Sequence, residues 1–168
     1  MQWLTIRKWF LLVFVGCAGL LAYAMWLQEV DMLEPCPLCI IQRLVFVVIG
    51  GFALLAALHN PAALGRLIYT LVISFTALVG VAIAGRHVWL QHLPADKVPD
   101  CGPGLDYMLD VFPLADALSM IFKGSGSCAE ISWQFIGLSM PEWTLIAYLT
   151  IFIASWWMWQ RARSTQQH

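Results

Sequence analysis

The chain has 168 residues, of which 61% are hydrophobic and only 11% are charged. Soluble domains carry about 25% charged residues, so a soluble core of this size could not hide so much apolar surface from water. The net charge of −1 also argues against a nucleic-acid partner, which would need a basic surface. We therefore expect one integral membrane domain over residues 1–168.

Four apolar runs are long enough to cross the hydrocarbon core of a bilayer, which takes about 20 helical residues. They lie at about 9–27, 40–58, 67–85 and 143–159. The first run could instead be a signal peptide, because Ala22-Tyr23-Ala24 resembles a cleavage site. It is longer than the roughly 7–15 apolar residues usual there, so we expect a retained helix. The predicted fold is an all-α membrane protein, a four-transmembrane-helix bundle.

The distribution of Lys and Arg predicts how these helices are oriented. Basic residues mark three places along the chain, which are Arg7 with Lys8, Arg66, and Arg161 with Arg163. An even number of spans puts all three on one side, so both termini are predicted to be cytoplasmic. The segments on the other side, about 28–39 and 86–142, are mainly acidic. In the inner membrane of a bacterium they would face the oxidising periplasm.

The second periplasmic segment contains a short amphipathic stretch. Its apolar residues have the spacing of one helical face and are Leu114, Ala117, Leu118, Ile121 and Phe122. Asp116, Ser119 and Lys123 fall on the opposite face, and Pro113 suits the first turn of a helix. We predict a short helix that lies along the membrane surface. The alternative is a helix packed on the outer ends of the bundle.

Two cysteines stand just before the second span, in Cys36-Pro37-Leu38-Cys39-Ile40-Ile41-Gln42-Arg43. A ring closed by Cys36 and Cys39 restrains almost no chain, which favours a redox or metal-binding role over a structural one. Arg43 follows Cys39 by four residues, so both side chains would lie on one helical face. The guanidinium and the helix N-terminus would both favour the Cys39 thiolate. Arg43 could alternatively just extend its charge to the membrane interface.

Cys101 and Cys128 lie on either side of the predicted surface helix. If paired, they close a ring of 28 residues (101–128), so a structural bridge worth about 3–4 kcal/mol is one interpretation. Four thiolates could also bind zinc, but such sites usually show two close pairs, and here only one pair is close. We therefore expect no metal. Cys17, alone in the first span, is interpreted as a packing residue.

These stretches resemble a known family. The segment that begins at Cys36 and ends at Arg43 resembles the active-site stretch of the DsbB family, the bacterial disulfide bond formation proteins. Arg86-His87-Val88-Trp89-Leu90-Gln91 resembles the segment after the family's third span. Ser125-Gly126-Ser127-Cys128-Ala129-Glu130 resembles its long-loop cysteine, and Met140-Pro141-Glu142-Trp143 its entry to the fourth span. The family commonly has an acidic residue where this chain has Gln42.

The resemblance implies a membrane enzyme that reoxidises a soluble periplasmic dithiol protein, a DsbA-like thiol oxidase. It implies that two electrons then pass to a membrane quinone, either ubiquinone or menaquinone. Arg43 would stabilise a thiolate and the charge that develops on a quinone oxygen. His87 is a further candidate for the quinone pocket.

The resemblance also assigns the four cysteines. It implies two redox disulfides, Cys101–Cys128 and Cys36–Cys39. DsbA would attack the first of these and form a mixed disulfide with Cys101. The released Cys128 would attack Cys36, and Cys39 would leave as a thiolate beside the quinone.

Two alternatives stay open on the residues alone. A quinone-linked thiol enzyme of the vitamin K epoxide reductase type also joins a C-x-x-C to four or more helices, although its motif lies late in the chain. A non-catalytic membrane scaffold with disulfide-stapled loops is the alternative from another class. Thiol titration separates them, because a scaffold should keep its bridges under mild reductant.

Overall fold

The computed structural model describes residues 2–30, 32, 35–98, 107, 110–124 and 126–164. The long helices are α1 (Gln2–Val30), α2 (Pro37–His59), α3 (Ala63–Gln91) and α6 (Met140–Ser164). The short elements are a 3₁₀ turn (Ala95–Lys97), α4 (Leu114–Lys123), α5 (Gly126–Ala129), β1 (Gln134–Phe135) and β2 (Leu138–Ser139). The two strands form an antiparallel hairpin. The described chain is therefore mostly helical, as predicted.

Three helices, α1, α2 and α3, are long and apolar enough to cross a membrane. Helix α6 is long enough, but its Ser, Thr and Trp residues make it less apolar, so the fourth span stays a prediction. The helices run past the predicted spans. Helix α3 continues beyond residue 85 to Gln91, and its 29 residues give a length of about 43 Å. This exceeds a hydrocarbon core of about 30 Å, so its end can carry polar residues outside that core.

Large apolar side chains cover the outside of the bundle. Leu12 is 71% exposed, Phe75 is 69% exposed and Ile153 is 63% exposed. In water such a surface would be unfavourable, whereas lipid chains are as apolar as these side chains. The outward faces of the long helices are therefore suited to contact with lipid.

The bundle is built from α1 on α2, α2 on α3, and α3 on α6. Tyr148 of α6 is fully buried and contacts both α2 and α3. Its ring stacks on Phe46, with 4.2 Å between the centroids, and its hydroxyl donates to the Gln42 carbonyl at 2.7 Å. A Cβ at Gly80 would lie 2.6 Å from the Tyr148 ring, so only glycine permits this approach. These contacts set the position of α2 along the axis of α6.

Helix α4 forms where the amphipathic stretch predicted it. Ile121 is 3% exposed, whereas Phe122 is 46% exposed. Asp116 and Ser119 are exposed, as predicted for the opposite face, and the side chains of Leu114, Ala117, Leu118 and Lys123 lie outside the described residues. Arg86 of α3 donates from Nε to the Phe122 carbonyl at 3.3 Å, and its guanidinium lies 4.2 Å from the Trp89 ring centroid. Helix α4 thus contacts the end of α3, and its placement on the membrane surface stays a prediction.

The β-hairpin leads directly into α6. The Ser139 N–H donates to Glu142 Oε2 at 2.6 Å, which is one half of a capping box. Trp143 Nε1 donates to the Phe135 carbonyl at 3.2 Å. The two turn residues, Ile136 and Gly137, have φ of 55° and 76°, as a tight hairpin turn requires. The hairpin is therefore held against the first turn of α6.

Candidate redox site

The two cysteines of the C-x-x-C lie at the start of α2. Cys36 is the N-cap in extended conformation, and Pro37 occupies the first turn, where a missing N–H is no loss. Cys36 Sγ accepts a hydrogen bond from the Cys39 N–H at 3.3 Å, as capping side chains do. The two residues are thiols in this structure, and the Cys36 thiol donates to Cys39 Sγ at 3.0 Å. The local sequence thus places both sulfurs at the positive end of a helix.

Helix α5 brings a third sulfur to this pair. Cys128 is 1% exposed, and its thiol donates a hydrogen bond to Cys36. The sulfurs of Cys36 and Cys128 lie within 4.8 Å of each other. Cys36 is therefore the middle member of a continuous line of three sulfurs. Cys101 lies outside the described residues, so its disulfide with Cys128 stays a prediction.

The hydrogen bonds of Cys36 determine which of the two sulfurs, Cys36 or Cys39, more readily carries a negative charge. The bond from Cys128 acts to lower the pKa of Cys36. The bond to Cys39, together with burial, outweighs it and raises this pKa to about 12. Cys36 is therefore a protonated thiol at neutral pH, and it donates toward Cys39. The arrangement favours negative charge on Cys39 rather than on Cys36.

Arg43 lies one helical turn after Cys39, as the spacing predicts. Its guanidinium donates to Gln28 Oε1 at 2.6 Å and to the Ala24 carbonyl at 3.3 Å. Both acceptors belong to α1 and are neutral, so they orient the guanidinium without cancelling its charge. That charge acts favourably on a Cys39 thiolate. The sequence indicated Arg43 but not its anchor, Gln28.

His87 approaches the sulfurs from α3. It is 2% exposed, with Nε2 at 3.1 Å from the Cys128 carbonyl oxygen and 3.7 Å from Cys36 Sγ. Its other nitrogen, Nδ1, lies 3.0 Å from Gln42 Nε2. Gln42 Oε1 in turn accepts from Thr144 Oγ1 at 2.6 Å. Sequence reasoning did not assign Gln42 or Thr144 to the site.

Two hollows, a small cleft and a larger cavity, adjoin each other at this site. The small cleft of about 70 Å³, with polar as well as apolar lining, is bordered by Cys36, His87, Gln91, Ser127 and Glu130, among others. A cavity of about 490 Å³ lies beside it and is lined mainly by apolar side chains of α1, α2, the hairpin and α6, including Phe46, Trp133, Phe135 and Trp143. Cys39 and Arg43 line both hollows. His87 lines the cleft, and its predicted contact with a quinone stays a prediction.

Three potential metal ligands come together in the site. The possible ligand atoms of three residues, Cys36, His87 and Cys128, lie within 4.8 Å of one another. Zinc accepts sulfur and nitrogen ligands of this kind. However, His87 Nε2 faces the Cys128 carbonyl oxygen at 3.1 Å, which can only accept a hydrogen bond. That nitrogen therefore carries a hydrogen instead of the lone pair that a metal needs. The geometry is that of a hydrogen-bonded thiol site, and the absence of a metal stays a prediction.

The fold and the site together define a class. The structure has three apolar helices, buried thiols in contact with one another, and an apolar cavity beside Cys39. These are features of a membrane thiol oxidoreductase. The sequence model of the family described as Disulfide bond formation protein DsbB matches residues 6–158. The chain belongs to the DsbB family, and it is a disulfide-generating oxidoreductase of the inner membrane with a quinone-linked redox function.

Individual relatives agree with this assignment. A protein of Nitrosococcus oceani named Disulfide bond formation protein B is 52% identical over 96% of this chain and 94% of the relative. Proteins of the same name from Hahella chejuensis and Saccharophagus degradans are 51% and 48% identical. These matches cover 92% and 91% of this chain, and 93% and 92% of the relatives. Family membership decides against both the non-catalytic scaffold and the vitamin K epoxide reductase type.

Proposed function

We propose that this enzyme reoxidises a DsbA-like periplasmic thiol oxidase and delivers the electrons to ubiquinone or menaquinone in the apolar cavity. The observation that carries the proposal is the position of Cys39. It lies at one end of the sulfur line and also lines the cavity. A group that takes part in thiol exchange and also borders an apolar binding site can connect the two half-reactions.

The cavity fits the head group of a quinone. Its volume of about 490 Å³ lies within the range of about 300–1,000 Å³ typical of ligand sites. Aromatic walls such as Trp133 and Phe135 suit a flat ring. Arg43 is the charged side chain among its lining residues, and its N–H groups are suited to a quinone oxygen. When bound there, the quinone supplies a two-electron acceptor beside Cys39.

The four cysteines would act in series. The partner's thiolate attacks Cys101 of the Cys101–Cys128 disulfide, and the sulfur of Cys128 leaves. Cys128 then attacks Cys36 of the Cys36–Cys39 disulfide, so a Cys36–Cys128 bond forms and Cys39 leaves as a thiolate. The contact of Cys128 with Cys36 supports this order. So do the helix N-terminus and Arg43, because both make Cys39 a good leaving group.

The proposed route also requires an orientation. With Arg7, Lys8 and Arg66 in the cytoplasm, the start of α2 and the segment that contains α4 and α5 would face the periplasm. The thiol partner is soluble in that compartment, whereas the quinone arrives through the bilayer. Cys36 and Cys39 must therefore lie at the periplasmic edge of the membrane.

Two measurements test the proposal. Lipid extracts of the purified protein should contain ubiquinone or menaquinone in about equimolar amount, and mass spectrometry identifies which. In intact cells, a membrane-impermeant maleimide added from the periplasmic side should label Cys36 or Cys39 in single-cysteine variants. Labelling only after the inner membrane is opened would contradict the orientation. Protein that neither retains nor reduces any quinone would contradict the acceptor.

A further inference from the structure

The hydrogen-bond partners of His87 determine which ring nitrogen carries its proton. Nε2 lies 3.1 Å from the Cys128 carbonyl oxygen, which has no hydrogen to donate, so Nε2 must be the protonated nitrogen. A second ring proton would make a buried cation, and such a charge is costly without a counter-ion. Nδ1 therefore keeps its lone pair and needs a donor, which the Gln42 amide at 3.0 Å provides.

Gln42 is itself held in the orientation that this role requires. It is 3% exposed. Its Oε1 accepts from the Thr144 hydroxyl at 2.6 Å, and that hydroxyl hydrogen is shared with the Pro141 carbonyl at 2.9 Å. With Oε1 so placed, the amide nitrogen faces His87. Its backbone carbonyl accepts the Tyr148 hydroxyl at 2.7 Å. The reverse amide orientation would put the His87 proton on Nδ1, and the bare Nε2 would then face a carbonyl oxygen.

We propose that Gln42 is a positioning residue, which holds His87 as the Nε2–H tautomer so that this N–H is shared between the Cys128 carbonyl oxygen and the Cys36 sulfur. The distance from Nε2 to Cys36 Sγ is 3.7 Å, within reach of a hydrogen bond to sulfur. A donor at this position stabilises negative charge on Cys36, the sulfur that is otherwise the least suited to carry it.

The inference rests on the proposed relay, in which Cys36 must also leave. After the Cys36–Cys128 bond has formed, the second thiolate of the dithiol partner attacks the partner sulfur of the mixed disulfide, the partner's own disulfide forms, and Cys101 leaves as a thiolate. The loop disulfide is restored when this Cys101 thiolate attacks Cys128. The Cys36–Cys128 bond breaks, the Cys101–Cys128 bond forms, and Cys36 leaves with the electron pair as a thiolate. There is no net oxidation in this step. The His87 N–H acts on the leaving sulfur.

An amide at position 42 differs from a carboxylate in what it does to the ring. A Glu side chain of nearly the same shape can only accept when ionised, so it would draw the His87 proton to Nδ1. A Met side chain of similar length offers neither a strong donor nor a strong acceptor. The variants Gln42→Glu and Gln42→Met therefore separate the direction of the hydrogen bond from the space that the side chain fills.

The tautomer is measured by ¹⁵N NMR of ring-labelled histidine in the full-length, reduced protein in nanodiscs, with His87→Phe to assign the signals. The wild type should show a protonated Nε2, Gln42→Glu a protonated Nδ1, and Gln42→Met a mixture. Gln91→Met is the matched control, because Gln91 also lines the cleft but bonds Ser139, and its His87 signals should match the wild type. A protonated Nδ1 in the wild type, or wild-type signals in Gln42→Glu, would overturn the inference.

The chemical consequence is measured in a Cys39→Ala background that holds one disulfide per chain. The Cys36–Cys128 form is prepared at pH 4, brought to pH 7, and quenched for alkylation and mass spectrometry of Cys36. Gln42→Met should slow the release of Cys36 by about tenfold to a hundredfold, while Gln91→Met should not. An unchanged rate in Gln42→Met would refute the positioning role. If the Cys36–Cys128 form never appears, the relay fails instead, and the NMR result still decides the tautomer.

Discussion

The cleft and the apolar cavity share a wall but differ in volume and in the polarity of their lining. The cleft is small, at about 70 Å³, and polar side chains border its sulfurs. The cavity is about 490 Å³, and its lining is mainly aliphatic and aromatic. Thiol exchange needs thiolates, which a polar environment stabilises. A lipid-soluble acceptor is better held by apolar walls. One hollow could not serve both needs equally well.

The shared wall shows how the two environments can be coupled. Among the described residues, Cys39 is the thiol that borders both hollows, and Arg43 is the cation that does so. The thiol can exchange electrons on either side, and the guanidinium can stabilise negative charge on either side. The division predicts that variants on each side will damage different half-reactions.

The largest effect is expected where the two hollows meet. Cys39→Ser should abolish quinone reduction by a reduced DsbA-like protein, because a hydroxyl can neither form the disulfide nor leave as a thiolate. The Cys128–Cys36 exchange on the cleft side should survive, and trapping of that disulfide followed by mass spectrometry would detect it. Cys36→Ser is the matched variant, and it should lose both reactions. Full turnover in either variant would remove the C-x-x-C pair from the mechanism.

Arg43→Ala should mainly weaken use of the acceptor. Loss of a charge-assisted hydrogen bond is worth about 1.5–3 kcal/mol, so the quinone concentration for half-maximal rate should rise about tenfold or more. Steady-state quinone reduction at a fixed concentration of thiol substrate measures this. Arg86→Ala is the control, because Arg86 contacts Phe122 and Trp89. An unchanged dependence on quinone in Arg43→Ala would refute its role.

A smaller effect is expected when only the cavity is changed. Ala147 lines the cavity but not the cleft, so Ala147→Phe should fill part of it and raise the half-maximal quinone concentration several-fold. Cleft-side exchange between Cys128 and Cys36 should keep its rate. Leu149→Phe on the same helix, at a position that is 40% exposed, adds similar bulk outside the cavity. Equal effects of the two changes would show that the cavity is not the acceptor site.

The C-x-x-C pair and Arg43 could be predicted as part of the site because the sequence features that indicate them lie close together in the chain. The spacing of the C-x-x-C indicates a redox pair, and a spacing of four places Arg43 one helical turn after Cys39. Helix α4 was likewise predicted from the periodicity of its apolar residues. Such patterns depend on neighbours within one or two helical turns, so a single sequence is enough to identify them.

The polar network behind the sulfurs could not be predicted in this way. Gln42 meets His87 and Thr144, residues 45 and 102 positions away, and only the packing of α2, α3 and α6 brings them together. One signal was present, since an uncharged polar residue inside an apolar helix suggests a functional contact. The cavity could not be predicted either, because its walls come from α1, α2, the hairpin and α6. The spacing of residues along one helix does not predict the shape of a cavity that forms between several elements.

The smallest effect is expected far from both hollows. Cys17 is 1% exposed and packs against α2, where a Cβ at Gly50 would lie 3.3 Å from the Cys17 Cβ. Cys17→Ala removes one buried sulfur atom, so the thermal midpoint should fall by only a few degrees. Turnover should stay within about twofold of the wild type, because the residue lines neither hollow. A large loss of turnover in a protein that still melts normally would mean that electrons also pass through the first helix. Cys39 would then not be the sole link between thiol exchange in the cleft and acceptor binding in the cavity.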